Sequence, residues 1–358
     1  MKQISRWPAS DLPYKRCNTL ANNFETNARY IVTDKSNISR REFIQTTAAA
    51  GAAATPYFAL VGPRSSHAAG EGSREVKLKF GVINDVHHTT IEHNLAPDIG
   101  EHSQWIKAFA DAMNSAGARF VVSNGDQVHE GHNGGIPSRY KEDEFATNLE
   151  TYKQHMRLFN GPSYYVLGNH ESCGALDKSG IRSIWHHPDQ NQFIPDSYFH
   201  FDYPDEKLRF LVLDAQFEPD GSDMKPLCVG YAEGYIPPRQ LQWLRDQLED
   251  ARRKSFAAVI FCHQILGAIH YPYGVSNAGE VQRLIESYSD VVAVAFHGHL
   301  HDNVAVEKNG VIYVSVRRRV ADLSAAWAKQ SGDWLFVEIF ADNGVKVSGH
   351  GEALSLTV

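Results

Sequence analysis

Five apolar runs recur along the chain: Lys79 to Asn84, Phe120 to Ser123, Tyr164 to Leu167, Ala257 to Cys262 and Val291 to Phe296. They are rich in β-branched, aromatic and aliphatic residues with little polar alternation, which predicts strands covered on both faces. Between the first two runs the spacing becomes helical. Trp105, Ile106, Phe109, Ala110 and Met113 share one face of His102 to Ala116, and Gly117 closes the segment. Glu142 to Phe159 reads as a second helix. Pro237 to Lys254 reads as a third, opened by prolines, with Leu241, Trp243, Leu244, Leu248 and Ala251 packing behind the run that follows. Strand, helix and strand in this order predict β-α-β units with right-handed crossovers. Ser197 to Tyr203 and Leu208 to Asp214 predict an antiparallel pair about a turn at Pro204 to Lys207. Val304 to Glu307, Val311 to Val316, Trp334 to Phe340 and Val345 to Ser348 are further short strands, with Asn309-Gly310 and Asn343-Gly344 as turns, and are expected to close a second sheet. Ser172 to Gln192 has the least regular pattern and is expected to be a loop that sets specificity.

The five runs end alike. The first delivers Asp85 and His87, the second Asn124, Gly125 and Asp126, the third Gly168, Asn169, His170 and Glu171, the fourth His263, and the fifth His297, Gly298, His299 and His301. The D-x-H spacing is expected to put Asp85 and His87 on one side of an extended segment. Gly168 is expected to free the backbone for a sharp turn. The carboxyl edge of a sheet is where α/β proteins place their sites. Imidazole and carboxylate are ligands of borderline divalent metals, and five such strand ends in one chain point to a metal site rather than to caps or core histidines.

The ordered set D-V-H, G-D, G-N-H-E, a lone His after an apolar run and G-H-L-H resembles the calcineurin-like metallophosphoesterase superfamily, over roughly Lys77 to Ser348. The resemblance implies a four-layer α/β/β/α sandwich of two mixed sheets flanked by helices. It implies one metal held by Asp85, His87, Asp126 and His301, and a second held by Asp126, Asn169, His263 and His299, with Asp126 bridging. His170 matches the catalytic histidine, which contacts substrate oxygen. Two roles are open to Glu171: orienting His170, or accepting hydrogen bonds behind the site. Many relatives read G-D-x-x-D where this chain has Gly125-Asp126-Gln127-Val128-His129, so His129 is open as a hydrogen-bond acceptor, a substrate contact or a plain loop residue. The purple acid phosphatases tend to lack the histidine present here as His87 and are set aside.

Residues 1–37 lack apolar periodicity and are expected to be an unstructured extension. Ser39-Arg40-Arg41-Glu42-Phe43-Ile44, a small-residue run and Ser66-His67-Ala68 then read as a twin-arginine (Tat) signal peptide over 38–69, with the metallophosphoesterase domain at 77–350. Export to the periplasm or the exterior follows, and the apolar segment is too broken by Thr, Gln and Pro for a stable membrane span. The formal charge is −7. Residues 1–70 hold nine Lys or Arg against four Asp or Glu, so the remainder carries about −12. That argues against duplex nucleic acid as a partner, since phosphate backbones demand a basic face. Cys17 lies in the leader, and Cys173, Cys228 and Cys262 allow one disulfide and one buried thiol, without specifying the pairing. Tyr271 or Tyr273 is a candidate stacking partner for a base or aryl group. Arg317, Arg318 and Arg319 are either a phosphate grip or an exposed turn.

The function these readings support is dinuclear-metal hydrolysis of a small phosphate ester by in-line attack of an activated water. A phosphodiester comes first: a cyclic nucleotide, a nucleotide derivative or a glycerophosphodiester. A phosphomonoesterase is the alternative; a nuclease and a non-catalytic binding protein rank below. Mn, Fe and Zn all suit His, Asp and Asn ligands, and the oligomeric state is not legible.

Overall fold

The apolar runs become strands, and backbone hydrogen bonds sort them into two seven-stranded sheets. The computed structural model describes residues 28–30, 74–90, 99–131, 140–227, 233–269, 273–316 and 332–358. The expectations for the signal segment 38–69, Tyr271 and Arg317 to Arg319 lie outside these residues.

In chain order the elements are β1 (Ala28–Tyr30), β2 (Val76–Ile83), α1 (Ile99–Ala116), β3 (Phe120–Asn124), α2 (Glu142–Met156), β4 (Ser163–Val166), α3 (Asn169–Ser172), α4 (Lys178–Trp185) and β5 (Gln192–Phe193). There follow β6 (Phe199–Tyr203), β7 (Leu208–Val212), α5 (Pro238–Lys254), β8 (Ala257–Phe261), α6 (Ala278–Glu286), β9 (Val292–His297), β10 (Val304–Lys308), β11 (Val311–Ser315), β12 (Trp334–Phe340), β13 (Val345–His350) and β14 (Leu356–Thr357). One sheet runs β1-β10-β11-β9-β8-β7-β6 and the other β14-β13-β12-β2-β3-β4-β5. Strands β2, β3, β4 and β5 are parallel neighbours, as are β7, β8, β9 and β11, so both sheets are mixed with a parallel centre.

The sheets meet through an aromatic layer. Phe80 stacks on Phe120 at 4.9 Å and meets Phe210, Phe261 and Phe296 edge-on at 5.6, 6.0 and 6.1 Å. Such offset and edge-to-face pairs add to plain area burial. The apolar faces of α1 and α2 join the same core through Phe109, Met113, Leu149 and Tyr152. Helices α5 and α6 cover the outer face of the other sheet with Leu244, Leu248, Val281 and Ile285. The α/β class and the two helix-flanked mixed sheets are therefore as the sequence predicts.

Four expectations need correction. The last four predicted strands do not form one sheet: β10 and β11 extend the β9 edge, while β12 and β13 pair with β2. Their alternation specifies strands but not partners. The stretch after Ser172 holds α4, capped where Asp177 accepts the Gly180 N–H at 2.7 Å, and a single 3-10 turn at Pro188–Gln190. The extension 1–37 is not wholly without regular structure, because Ala28–Tyr30 pairs antiparallel with the exposed edge of β10. The ordered domain also runs past residue 350, since β14 pairs with β13.

Candidate metal centre

Asp85, His87, Asp126, His170, His263, His299 and His301 come to one place, at the carboxyl ends of β2, β3, β4, β8 and β9, and Asn169 precedes His170 at the start of α3. His301 Nε2 lies 3.0 Å from Asp85 Oδ1, and the His299 N–H donates to both Asp85 oxygens at 3.1 Å. His263 Nε2 is 3.0 Å from Asp126 Oδ2 and 3.9 Å from Asp85 Oδ1. His87 Nε2 is 3.7 Å from Asp126 Oδ2, and His170 Nε2 is equally far from the same oxygen. One ligand atom each from Asp85, His87, Asp126 and His301 lie within 4.8 Å of one another, and so do one each from Asp126, His263 and His299. The two groups share Asp126.

The local backbone that achieves this is not the extended one expected. Asp85, His87, Asp126, His299 and His301 all have positive φ, between 48° and 65°. Each such residue costs about 1–2 kcal/mol relative to ordinary helical backbone, and strain of this kind persists where surrounding structure enforces it. The enforcement is visible: the Asp85, His87 and His88 N–H groups donate to the carbonyls of Gly125, Asp126 and Gln127 at 3.0, 2.9 and 2.8 Å, strapping two ligand turns together. D-x-H and H-x-H thus converge because alternate residues turn left-handed. Gly168 is likewise not a turn glycine, since its φ is −104°. Its hydrogen is needed because a Cβ there would collide with Asp126; a Cβ at Gly298 would come within 2.6 Å of Asp85 Oδ2. Gly125, with φ 91°, abuts the His263 ring.

Hydrogen bonds fix which nitrogen faces inward. His263 Nδ1 donates to the Asn124 carbonyl at 2.9 Å, which leaves Nε2 toward the carboxylates. His299 Nε2 donates to the Tyr273 carbonyl at 3.0 Å, which leaves its lone pair on Nδ1. Backbone partners of this sort set imidazole tautomers at metal sites. Glu171 is buried and accepts the N–H groups of Asp126 and Gly168 on Oε2, both at 2.9 Å, and of Val128 on Oε1 at 3.0 Å. Its role is therefore to clamp the Asp126 turn. The partner of His170 is Glu130, a buried residue that motif reading missed; its Oε2 meets His170 Nδ1. The signal was faint: an acid lies one position beyond the place where many relatives have one.

Charges follow the geometry. Burial alone would lower His263 and His170, but Asp126 lifts the first to about 10, and Glu130 with Asp126 lifts the second to about 9. Burial would raise Glu130, yet His170 holds it at about 2. Burial and neighbouring Asp126 push Glu171 up to about 8 against its N–H donors. Burial and His263 bring His299 down to about 4.

Residues 78–303 match the family profile described as calcineurin-like phosphoesterase. The chain belongs to this family. It is a metal-dependent phosphoric ester hydrolase. Residues 37–56 match the twin-arginine translocation signal sequence, so the Tat signal read from Arg40 and Arg41 stands. The chain is similar to manganese-dependent ADP-ribose/CDP-alcohol diphosphatases of Oryza sativa subsp. japonica, 24% identical over 67% of this chain and 82% of the relative, and of Arabidopsis thaliana, 24% identical over 69% and 88%. A dimetal phosphatase from Danio rerio shares the fold, with a TM-score of 0.63 and 18% identity over 79% of this chain and 99% of that one.

The residues of this calcineurin-like phosphoesterase fit a pair of divalent ions by their own chemistry. The donor set is His, Asp and Asn, which suits Mn, Fe or Zn. Asn169 is 1% exposed, is flanked by Gly168 and His170, which both border Asp126, and its Oδ1 has no hydrogen-bond partner among the described residues. A buried carbonyl oxygen without a donor is what a cation satisfies. Elsewhere, Asp214 pairs with buried Lys178 at 2.6 Å and is structural. Cys173 is disulfide-bonded and Cys262 is a buried free thiol. No helix among the described residues is long and apolar enough to cross a membrane.

Proposed function

We propose that this enzyme hydrolyses a small phosphodiester-type substrate, a nucleotide derivative joined through a diphosphate, outside the cytoplasm after Tat export. The observation that carries the reading is the pair of ligand clusters joined at Asp126. Asp85, His87, Asp126 and His301 would hold one ion, and Asp126, Asn169, His263 and His299 the other. Manganese is the first choice, as it appears in the names of the plant relatives. Two divalent ions, when bound, would supply the positive charge that activates a water and neutralises phosphoryl oxygens in an in-line displacement.

The chain's own residues do the rest. The Asn124 and Tyr273 carbonyls keep His263 and His299 in the ligating tautomer. Glu171 holds Asp126, which the two ligand groups share, in its strained turn. His170, its Nδ1 engaged by Glu130, aims Nε2 at the reacting phosphoryl group, where a donor stabilises the charge that builds in the transition state. The acidic net charge favours a small substrate over a nucleic acid.

The test is metal analysis of the purified protein, with hydrolysis of ADP-ribose, a CDP-alcohol, bis-p-nitrophenyl phosphate and p-nitrophenyl phosphate, each with and without Mn²⁺. Two ions per chain and fastest turnover of a nucleotide diphosphate support the proposal. Fastest turnover of the monoester would move the enzyme to the phosphomonoesterases. No metal and no turnover after reconstitution would leave a binding protein.

A further inference from the structure

His129 belongs to neither ligand cluster, yet its ring lies beside His87 of one cluster and beside His170. Its ring centroid lies 5.5 Å from that of His170 and 6.0 Å from that of His87, and the His87 and His170 rings are 4.2 Å apart. The three rings form a triangle in which His87 is the most buried: its side chain is 3% exposed, against 15% for His170 and 13% for His129. The residue is not carried on a loose loop. Its N–H donates to the His88 carbonyl at 3.0 Å, continuing the strap that joins the Asp85 and Asp126 turns. Its Nδ1 accepts the Gly131 N–H at 2.9 Å, which assigns the ring hydrogen to Nε2.

We infer that His129, through its Nε2–H, binds the second phosphoryl group of a diphosphate while His170 faces the one under attack. The inference rests on the diphosphate reading above and names the residue that gives it selectivity. A diphosphate differs from a simple diester in having a second anionic phosphoryl group beside the first. An N–H donor beside His170, its ring 5.5 Å away and fixed by two backbone hydrogen bonds, suits that group. A substrate with one phosphoryl group has nothing to offer it. A third metal ion fits these atoms poorly: His129 Nδ1 is engaged by a backbone N–H and His170 Nδ1 by Glu130, so both nitrogens on that side are tied to protons.

The experiment compares kcat/KM for ADP-ribose and for bis-p-nitrophenyl phosphate in the Mn²⁺-loaded wild type, His129→Ala and His129→Gln, with metal content measured on each. Loss of a hydrogen bond to an anion predicts that the ratio of the two constants falls about 10-fold to 100-fold in His129→Ala. Two ions per chain are expected to remain, and Gln, which keeps an N–H donor, should recover part of the ratio. Equal losses on both substrates, no change in the ratio, or loss of metal would each overturn the inference. A wild type that cleaves the nitrophenyl diester but no nucleotide diphosphate would overturn the substrate reading itself, and that result is visible before any variant is made.

Discussion

Two buried glutamates divide the support of the centre at the scale of single residues. Glu171 holds backbone and Glu130 holds an imidazole, so their loss should look different. Asp126→Ala should strip metal from both clusters. His170→Ala should keep two ions while turnover falls strongly, as elemental analysis beside steady-state kinetics would establish. Glu130→Gln should lower kcat about 10-fold to 100-fold, the usual effect of removing a group that orients a site residue. In a His170→Ala background the same change should cost little, because a group that acts through His170 has nothing left to orient; equal losses in both backgrounds would refute that role. The protons of the metal-free site make a further prediction. His263 and His170 have folded values of about 10 and 9, above the ordinary 6.5, so the stability their protons lend a chelated protein is complete below pH 6.5 and drains away as pH rises through 9 to 10. Denaturant unfolding of chelated protein between pH 6 and 10 should follow this fall. Metal-loaded protein, in which His263 cannot keep its proton, should lose the His263 part of that dependence and show a shallower fall.

Among elements, the turns matter more than the strands they leave. Gly298→Ala should reduce metal content while leaving most helix and strand signal in circular dichroism, because the added methyl group meets Asp85 Oδ2 rather than the core; full metal occupancy would contradict that account. The same contrast explains what the sequence disclosed. Continuous apolar runs such as Phe120 to Ser123 and Ala257 to Cys262 were legible as buried strands because both faces are covered. The eight site residues were legible because each sits just after such a run. The left-handed backbone at five of them was not, since Asp and His do not declare positive φ as glycine does. Helix α4 was hidden by a mixed composition, although Asp177 is an N-cap in retrospect. Glu130 escaped because its partner lies 40 positions away and only the fold brings them together.

Across the whole molecule, the centre is built from both sheets: Asp85, Asp126 and Asn169 follow strands of one, and His263, His299 and His301 follow strands of the other. Ions bound there would join the two sheets. Saturating Mn²⁺ should therefore raise the thermal midpoint, by the equivalent of about 2.7 kcal/mol at a hundred times the dissociation constant, and chelation should reverse the shift in scanning calorimetry. An unchanged midpoint would mean the ions are not held between the sheets.

Asp85 and His301 are 216 positions apart in sequence and 3.0 Å apart in space. In polymer terms, an ion between them closes a very long loop, and the folded sheets have already lost the entropy of that closure. A nascent or unfolded chain would have to lose it at the moment of chelation, which makes it a poor competitor for scarce ions. Metal content would thus be a census of finished molecules, since only a chain whose two sheets have already met presents both ligand groups.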